Sequence, residues 1–310
     1  MPNNKFRKKK NNVQLKNRGG NLHDSSKTAV ILLAPGLIIM SFVILYPLLR
    51  AFILSFYNRE LTKPNQNSFV LFENFQRLLH DDTFWTTVKN TFTFTLTTVF
   101  ISVIIALVIA IALDQLPKKF SGLRGLILIP WVIPGIVVGF LFLYMFDYDV
   151  GIINFFLQRL GVIEEYVPWL MDGNLAMIAI IVAHVWNQIP FHTLMIAAGL
   201  KTVPRDLQEA AFAEGANRWQ EFWHVTLPNI KGILVISSLL MLIRNFNNFP
   251  IIFTMTGGGP GESTLTSVLH IYKLAFEKFQ LSYASAVGMI WVVVLLVMSI
   301  VYIRLLQKEY

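Results

Sequence analysis

The chain of 310 residues contains no cysteine. Disulfides, thiolate nucleophiles and Cys-based metal sites are therefore excluded. Charge is scarce too. Asp, Glu, Lys and Arg make up 14% of the residues, where a soluble domain of this length carries roughly a quarter. The six His are scattered, with no His-Glu-x-x-His or comparable ligand spacing, so no metal site is expected. No nucleophile stands near a base in any recognisable pattern, and no catalytic residue is expected. Gly257-Gly258-Gly259-Pro260-Gly261 is rich in glycine but lacks the Lys-Ser/Thr of a phosphate-binding loop. It reads as a tight turn. What the chain has in abundance is apolar surface, with 55% hydrophobic residues.

Apolar runs long enough to cross a bilayer, about 20 residues each, recur six times. The sequence predicts an all-α, polytopic membrane protein with spans over 28–56, 90–113, 126–146, 175–200, 232–255 and 282–306. A helix break is expected at Pro190 inside the fourth. An even number of spans puts both termini on one side. Seventeen Lys and Arg fall in the segments on that side and seven in the opposite connections, which makes the ends cytoplasmic. Residues 1–27 hold eight of them against Asp24 alone. This basic tail is expected to be disordered, to lie in the cytoplasm and to touch anionic membrane lipid rather than nucleic acid. The apolar run after Lys27 is too long for a cleaved signal peptide. Residues 28–310 form one membrane domain. No acidic residue lies within the spans apart from boundary positions such as Asp114, which argues against an ion-driven secondary transporter. Outside the membrane, residues 69–88 space Phe69, Phe72, Phe75, Leu79 and Trp85 at near-helical intervals. They are expected to form an interfacial amphipathic helix or a cap over the bundle.

One cytoplasmic connection, residues 201–231, is unlike lipid-facing sequence. Pro204 suits the first turn of a helix. Leu207, Ala210, Ala211 and Glu214 follow at i, i+3, i+4 and i+7 and share one face. Gly215 supplies the left-handed residue that ends the helix. Asn217 can cap a second short helix, which carries Trp219, Phe222 and Trp223 and is expected to stop at Pro228. The segment reads as a stiff helix–Gly–helix elbow for a partner protein. The same residues also suit an ordinary amphipathic connector.

Glu209-Ala210-Ala211, then Gly215, then Thr226-Leu227-Pro228 resemble the Glu-Ala-Ala loop of ABC importer permeases. The flanks Trp186-Asn187-Gln188-Ile189-Pro190-Phe191, Ala198-Gly199-Leu200 and Thr256-Gly257-Gly258-Gly259-Pro260 resemble its carbohydrate branch, the maltose and glycerol-3-phosphate permease group. So do Leu71-Phe72-Glu73-Asn74-Phe75 and Tyr283-Ala284-Ser285-Ala286. The likeness covers about residues 28–308. The family usually has Asp where Glu214 stands, and Asn245-Phe246-Asn247-Asn248-Phe249 is richer in amides than its usual pattern. The resemblance implies a type I permease architecture of six transmembrane helices in the bacterial cytoplasmic membrane. It implies a second permease subunit, two ATPase subunits that bind ATP and Mg, and an extracytoplasmic sugar-binding protein. This chain itself would hold no cofactor and hydrolyse no ATP. Glu209, Ala210, Ala211, Glu214, Gly215, Leu227 and Pro228 would carry ATPase coupling.

Polar groups at membrane depth are costly and usually face the bundle interior. Trp186, Asn187 and Gln188 in the fourth span, and Arg244, Asn245, Asn247 and Asn248 in the fifth, are candidates for the substrate pathway. Amides meet sugar hydroxyls, and aromatic faces such as Trp186 and Phe246 suit a sugar ring. Amides that bond helix to helix are the competing reading. The expected function is import of a sugar, an oligosaccharide in the first instance. Glycerol-3-phosphate or another polar solute is the alternative.

Overall fold

The computed structural model describes residues 22–60, 67–117 and 122–307. Residues 1–21, most of the basic tail, lie outside the described residues, as do Lys118, Lys119 and residues 308–310. The chain forms two units, Met1–Arg50 and Ala51–Tyr310. In the first, α1 (Leu22–Met40) passes through a π-helical turn, Ser41–Leu45, into α2 (Tyr46–Leu54), within which the division falls. Residues 22–27 are therefore helical, a correction to the expected tail. Extending a helix by a turn is far easier than starting one, and the segment holds no Pro or Gly to stop it. The π turn ends two residues before Pro47. Its last bond runs from Tyr46 N–H to Ser41 O, which widens the helix where proline offers no donor.

The second unit opens with a two-residue hairpin, β1 (Tyr57–Asn58) antiparallel to β2 (Ser68–Phe69). The predicted amphipathic helix over 69–88 is divided. A short α3 (Glu73–Leu79) ends at His80, and Asp81 then accepts from Phe84 N–H to cap a new helix. That helix, α4 (Asp82–Asp114), starts eight residues ahead of the expected second span. Thr87, Thr91, Thr95, Thr98, Ser102, Ala106 and Ala110 are buried along one face of it. Their small side chains let α9 (Gly173–Leu200), the most buried long helix, pack along its length. Phe94, Ile180, Ala183 and Val185 fill this contact.

Five described helices are long and apolar enough to cross a membrane. The third predicted span is broken instead into α5 (Leu123–Ile127), α6 (Ile129–Val132) and α7 (Gly135–Met145). Ile133, ahead of Pro134, is extended at φ −69° and ψ 128°, the conformation that a following proline favours. Between α7 and α9 lies a short α8 (Ile152–Arg159). The fourth span does the reverse of the expectation. Pro190 leaves α9 unbroken. Within a bundle, neighbouring helices hold such a helix straight through a missing bond.

The connection from α9 forms α10 (Arg205–Ala213), α11 (Arg218–Glu221) and a π turn, Phe222–Thr226, which leads into α12 (Leu227–Phe246). The fifth span breaks after Phe246 and resumes as α13 (Pro250–Met255). Gly139 of α7 meets α13 so closely that a Cβ there would lie 2.7 Å from Thr254 Cβ. After the outer turn come α14 (Ser267–Tyr272), a π turn Lys273–Glu277 and the sixth span, α15 (Leu281–Gln307). Leu78, Phe84, Phe246, Val287 and Trp291 join α3, α4, α12 and α15 in a second cluster. Ala106, Ala110, Ile196, Val203 and Ile230 form a third, at the ends of α4, α9 and α12 that carry the elbow.

Candidate functional site

The elbow is built from backbone chemistry upward. Buried Val203 anchors its entry in the third cluster. Pro204 stands just before α10 with ψ 129° and no N–H to satisfy. At the other end Gly215 N–H bonds Phe212 O and Ala216 N–H bonds Ala211 O. This paired closure needs a left-handed residue, and Gly215 has φ +92°. Asn217 then accepts from Gln220 N–H while Gln220 Oε1 accepts from Asn217 N–H, a reciprocal cap on α11. Arg218 donates to Gln115 at the end of α4, 3.3 Å away.

The outward surface of α10 is presented by Leu207 (46% exposed), Phe212 (48%), Glu209, Ala210 and Glu214. The predicted face divides here. Ala211 is half-buried and turns with Gln208 toward the inside of the elbow. Pro228 is a further correction. It does not stop the second arm, because the π turn ends two residues before it, as the one before Pro47 does, and Leu227 N–H bonds Phe222 O. Arg218–Phe246 is thus one continuous helical rod into the membrane. Leu227 packs against the third cluster, while Pro228 is exposed. Trp219 is 69% exposed and packs against Phe222, tilted, and Trp223, edge-on, with ring centroids 6.3 and 5.6 Å away.

The polar residues at membrane depth separate into two sets. Buried His184 is the node of the first. Its Nε2 donates to Asn245 Oδ1 at 2.9 Å, and Nδ1 accepts from Asn248 Nδ2 at 3.1 Å. Gln188 lies one turn along, 3.4 Å from Nε2, and the Phe94 ring packs on the imidazole at 5.1 Å. Asn245 and Asn248 therefore tie α9 to the break in the fifth span. Asn187 donates to Pro130 O at 2.6 Å and ties α9 to the broken third span. Trp186 packs against Phe142 at 5.5 Å. Phe246 is closed off between Phe92 and Trp291 and offers no face for a sugar. The second set is Arg244 and Asn247, three residues apart and both exposed. Asn247 Nδ2 donates to Ile243 O. His184 belongs to the fourth-span polar run in the sequence, yet its position as the node is a fact of packing that spacing does not encode.

The glycine-rich segment is the expected tight turn, with Gly257, Gly258, Gly261 and Glu262 all at positive φ. Thr264 bonds Gly259 O and Thr256 across it. Asn90 donates to Glu262 O and Leu265 O, which holds the turn on the start of α4. No group of three or more metal-ligating side chains occurs among the described residues.

Long apolar helices, five of them able to cross a membrane among the described residues, with an elbow between α9 and α12, are the architecture of a transporter's membrane component. The family of binding-protein-dependent transport system inner membrane components matches residues 102–308, and the chain belongs to it. SmoG of Agrobacterium fabrum, a sulfoquinovosyl glycerol transport system permease, is 36% identical over 91% of this chain and 91% of its own length. MalF of Thermococcus litoralis, a trehalose/maltose transport system permease, is 33% identical over 90% of this chain and 93% of its own. A chain from the crystal structure of a bacterial ABC transporter that imports alginate has a TM-score of 0.80 at 19% identity, over 92% of this chain and 96% of that one. The fold is that of a type I permease. The protein is a multi-pass component of the inner membrane, and its work is transport.

Proposed function

We propose that this chain is one of two related permease subunits of an ATP-driven sugar importer. The observation that carries this reading is the elbow. The α10 surface faces outward, and a single rod, Arg218–Phe246, runs from its second arm into the membrane. A helix seated in a groove of an ATPase subunit would move with that subunit, and the rod would carry the motion to the spans around His184. Glu209, Ala210 and Glu214 are the docking groups, and Gly215 is the corner. Two ATPase subunits hold ATP and Mg, and an extracytoplasmic binding protein delivers the sugar. Both termini face the cytoplasm, and the basic tail lies along anionic lipid. The named sugar permeases among the relatives support the substrate class. Co-expression with the ATPase subunit tests the reading. The expected result is a complex that purifies intact and loses its ATPase when Ala210 is replaced by Trp. A wild-type chain that never retains an ATPase subunit would defeat it.

An acidic sugar derivative is a second reading, favoured by one observation. Arg244 is exposed in the last turn of α12. A cation at membrane depth is costly, and a sulfonate, carboxylate or phosphate would offset that cost. Arg244→Gln is expected to reduce uptake of an acidic sugar about tenfold, the effect of losing one charge-assisted bond, and to leave uptake of a neutral sugar unchanged. Equal loss for both would remove this reading.

A further inference from the structure

Thr226, inside the elbow, bonds differently from several other helical hydroxyls. Thr87, Thr91, Thr193, Ser238 and Ser285 each turn back to a backbone carbonyl three or four residues earlier. Thr226 is 4% exposed, and its hydroxyl goes to side chains instead. It donates to Glu221 Oε1 at 2.5 Å and accepts from Gln208 Nε2 at 3.3 Å. Gln208 belongs to α10, Glu221 to α11 and Thr226 to the π turn that leads into α12. One hydroxyl thus links three elements with one donor and one acceptor bond.

The π turn is what makes the link possible. Residues five apart on an α-helix point roughly 140° away from each other. The wider π turn, with its bonds from i to i+5, brings Glu221 and Thr226 onto one side. The turn therefore does more than accommodate Pro228. It faces the Thr226 hydroxyl toward α10, where Gln208 reaches it. Gly215, the corner between the two arms, has no atom within 4 Å of where a Cβ would stand.

We propose that Thr226 is the positioning residue that fixes the angle between α10 and the fifth span, through Gln208 and Glu221. The proposal rests on the coupling role given to α10 above. An elbow that bends under load would let the coupling helix move without turning the rod. An elbow pinned across its inner angle passes the motion on.

The absence of cysteine gives a clean test. Phe212→Cys on α10 and Leu240→Cys on α12, both at exposed positions, accept spin labels in the full-length chain in detergent. The distance distribution between them reads the stiffness of the elbow. It is expected to be narrow in the parent and in Thr226→Ser, and to widen about twofold in Thr226→Val and in Gln208→Leu as alternative corner angles become populated. The rescue by Ser separates positioning from packing, because Ser is smaller but keeps the hydroxyl. If Thr226→Val does not reach the membrane, Gln208→Leu decides. Distributions as narrow as the parent's in the variants, or widening in Thr226→Ser equal to that in Thr226→Val, would overturn the proposal. The measurement needs no ATPase. A chain with this stiffness that retains no ATPase subunit would defeat the importer reading and leave the brace standing.

Discussion

His184 shows how far a residue's neighbours set its role. Its imidazole is buried, and both ring nitrogens are engaged by amides from the fifth span. Removing one partner from a buried pair leaves a desolvated group without a bond. Asn245→Ala is expected to destabilise the protein by about 1 kcal/mol, the scale of side-chain bonds between membrane helices. Asn247→Ala, at an exposed position, is expected to change stability by less than about 0.5 kcal/mol. Thermal unfolding in detergent compares the two, and equal effects would contradict the division of these neighbouring amides into buried and exposed sets. Their identity as polar residues at depth is plain in the sequence. Which of them faces His184 is not, because the break after Phe246 takes Asn247 and Asn248 off the α-helical register.

Proline acts at the scale of the element, and four prolines of this chain act in three ways. Pro134 ends a helix, Pro190 leaves one intact, and Pro47 and Pro228 each follow a π turn. A proline removes one hydrogen bond and crowds one carbonyl. Whether the helix breaks then depends on what the neighbours supply, and a single strand of sequence does not carry that information. The outer connection before α15 offers a test of another kind. His270 on α14 is buried, and burial holds its imidazole below its ordinary value of 6.5, with Asp81 opposing the shift. Above pH 6.5 the ring is neutral folded or unfolded and pH has no effect through it. As pH falls below 6.5 the unfolded chain takes up a proton that the folded chain resists, so stability declines. His270→Gln is expected to flatten the dependence of the melting midpoint on pH between 7.5 and 5.5, a range chosen as roughly one unit either side of the ordinary value. An unchanged slope would show that other groups carry it.

For the whole molecule, the question is whether the elbow connects the cytoplasmic surface to the membrane interior. Gly215 has φ +92° and open space around it. A Cβ there meets no atom within 4 Å, so the main penalty is backbone strain, about 1–2 kcal/mol for a β-branched residue and less for Asn. Gly215→Val is expected to reach the membrane in normal amount and to lose most transport, while Gly215→Asn keeps most of it. Uptake by Gly215→Val at the parent rate would show that the corner's geometry is not needed. The elbow was the part of the candidate site most legible from sequence. A Pro start, a Gly stop and an Asn cap are local signals, and each acts through the backbone within a turn or two.

The long apolar helices, the bias of basic residues and the elbow follow from one-dimensional patterns. Hydropathy, charge and capping depend on a residue and its chain neighbours, and so survive without a fold. Contacts between distant residues do not. The division of Ala211 from Leu207 and Ala210, the passage of the second arm straight through Pro228, the His184 node and the Gln208–Thr226–Glu221 link all arise where separate helices meet. Each depends on the angle and register of packing, which side chains far apart in the chain set together.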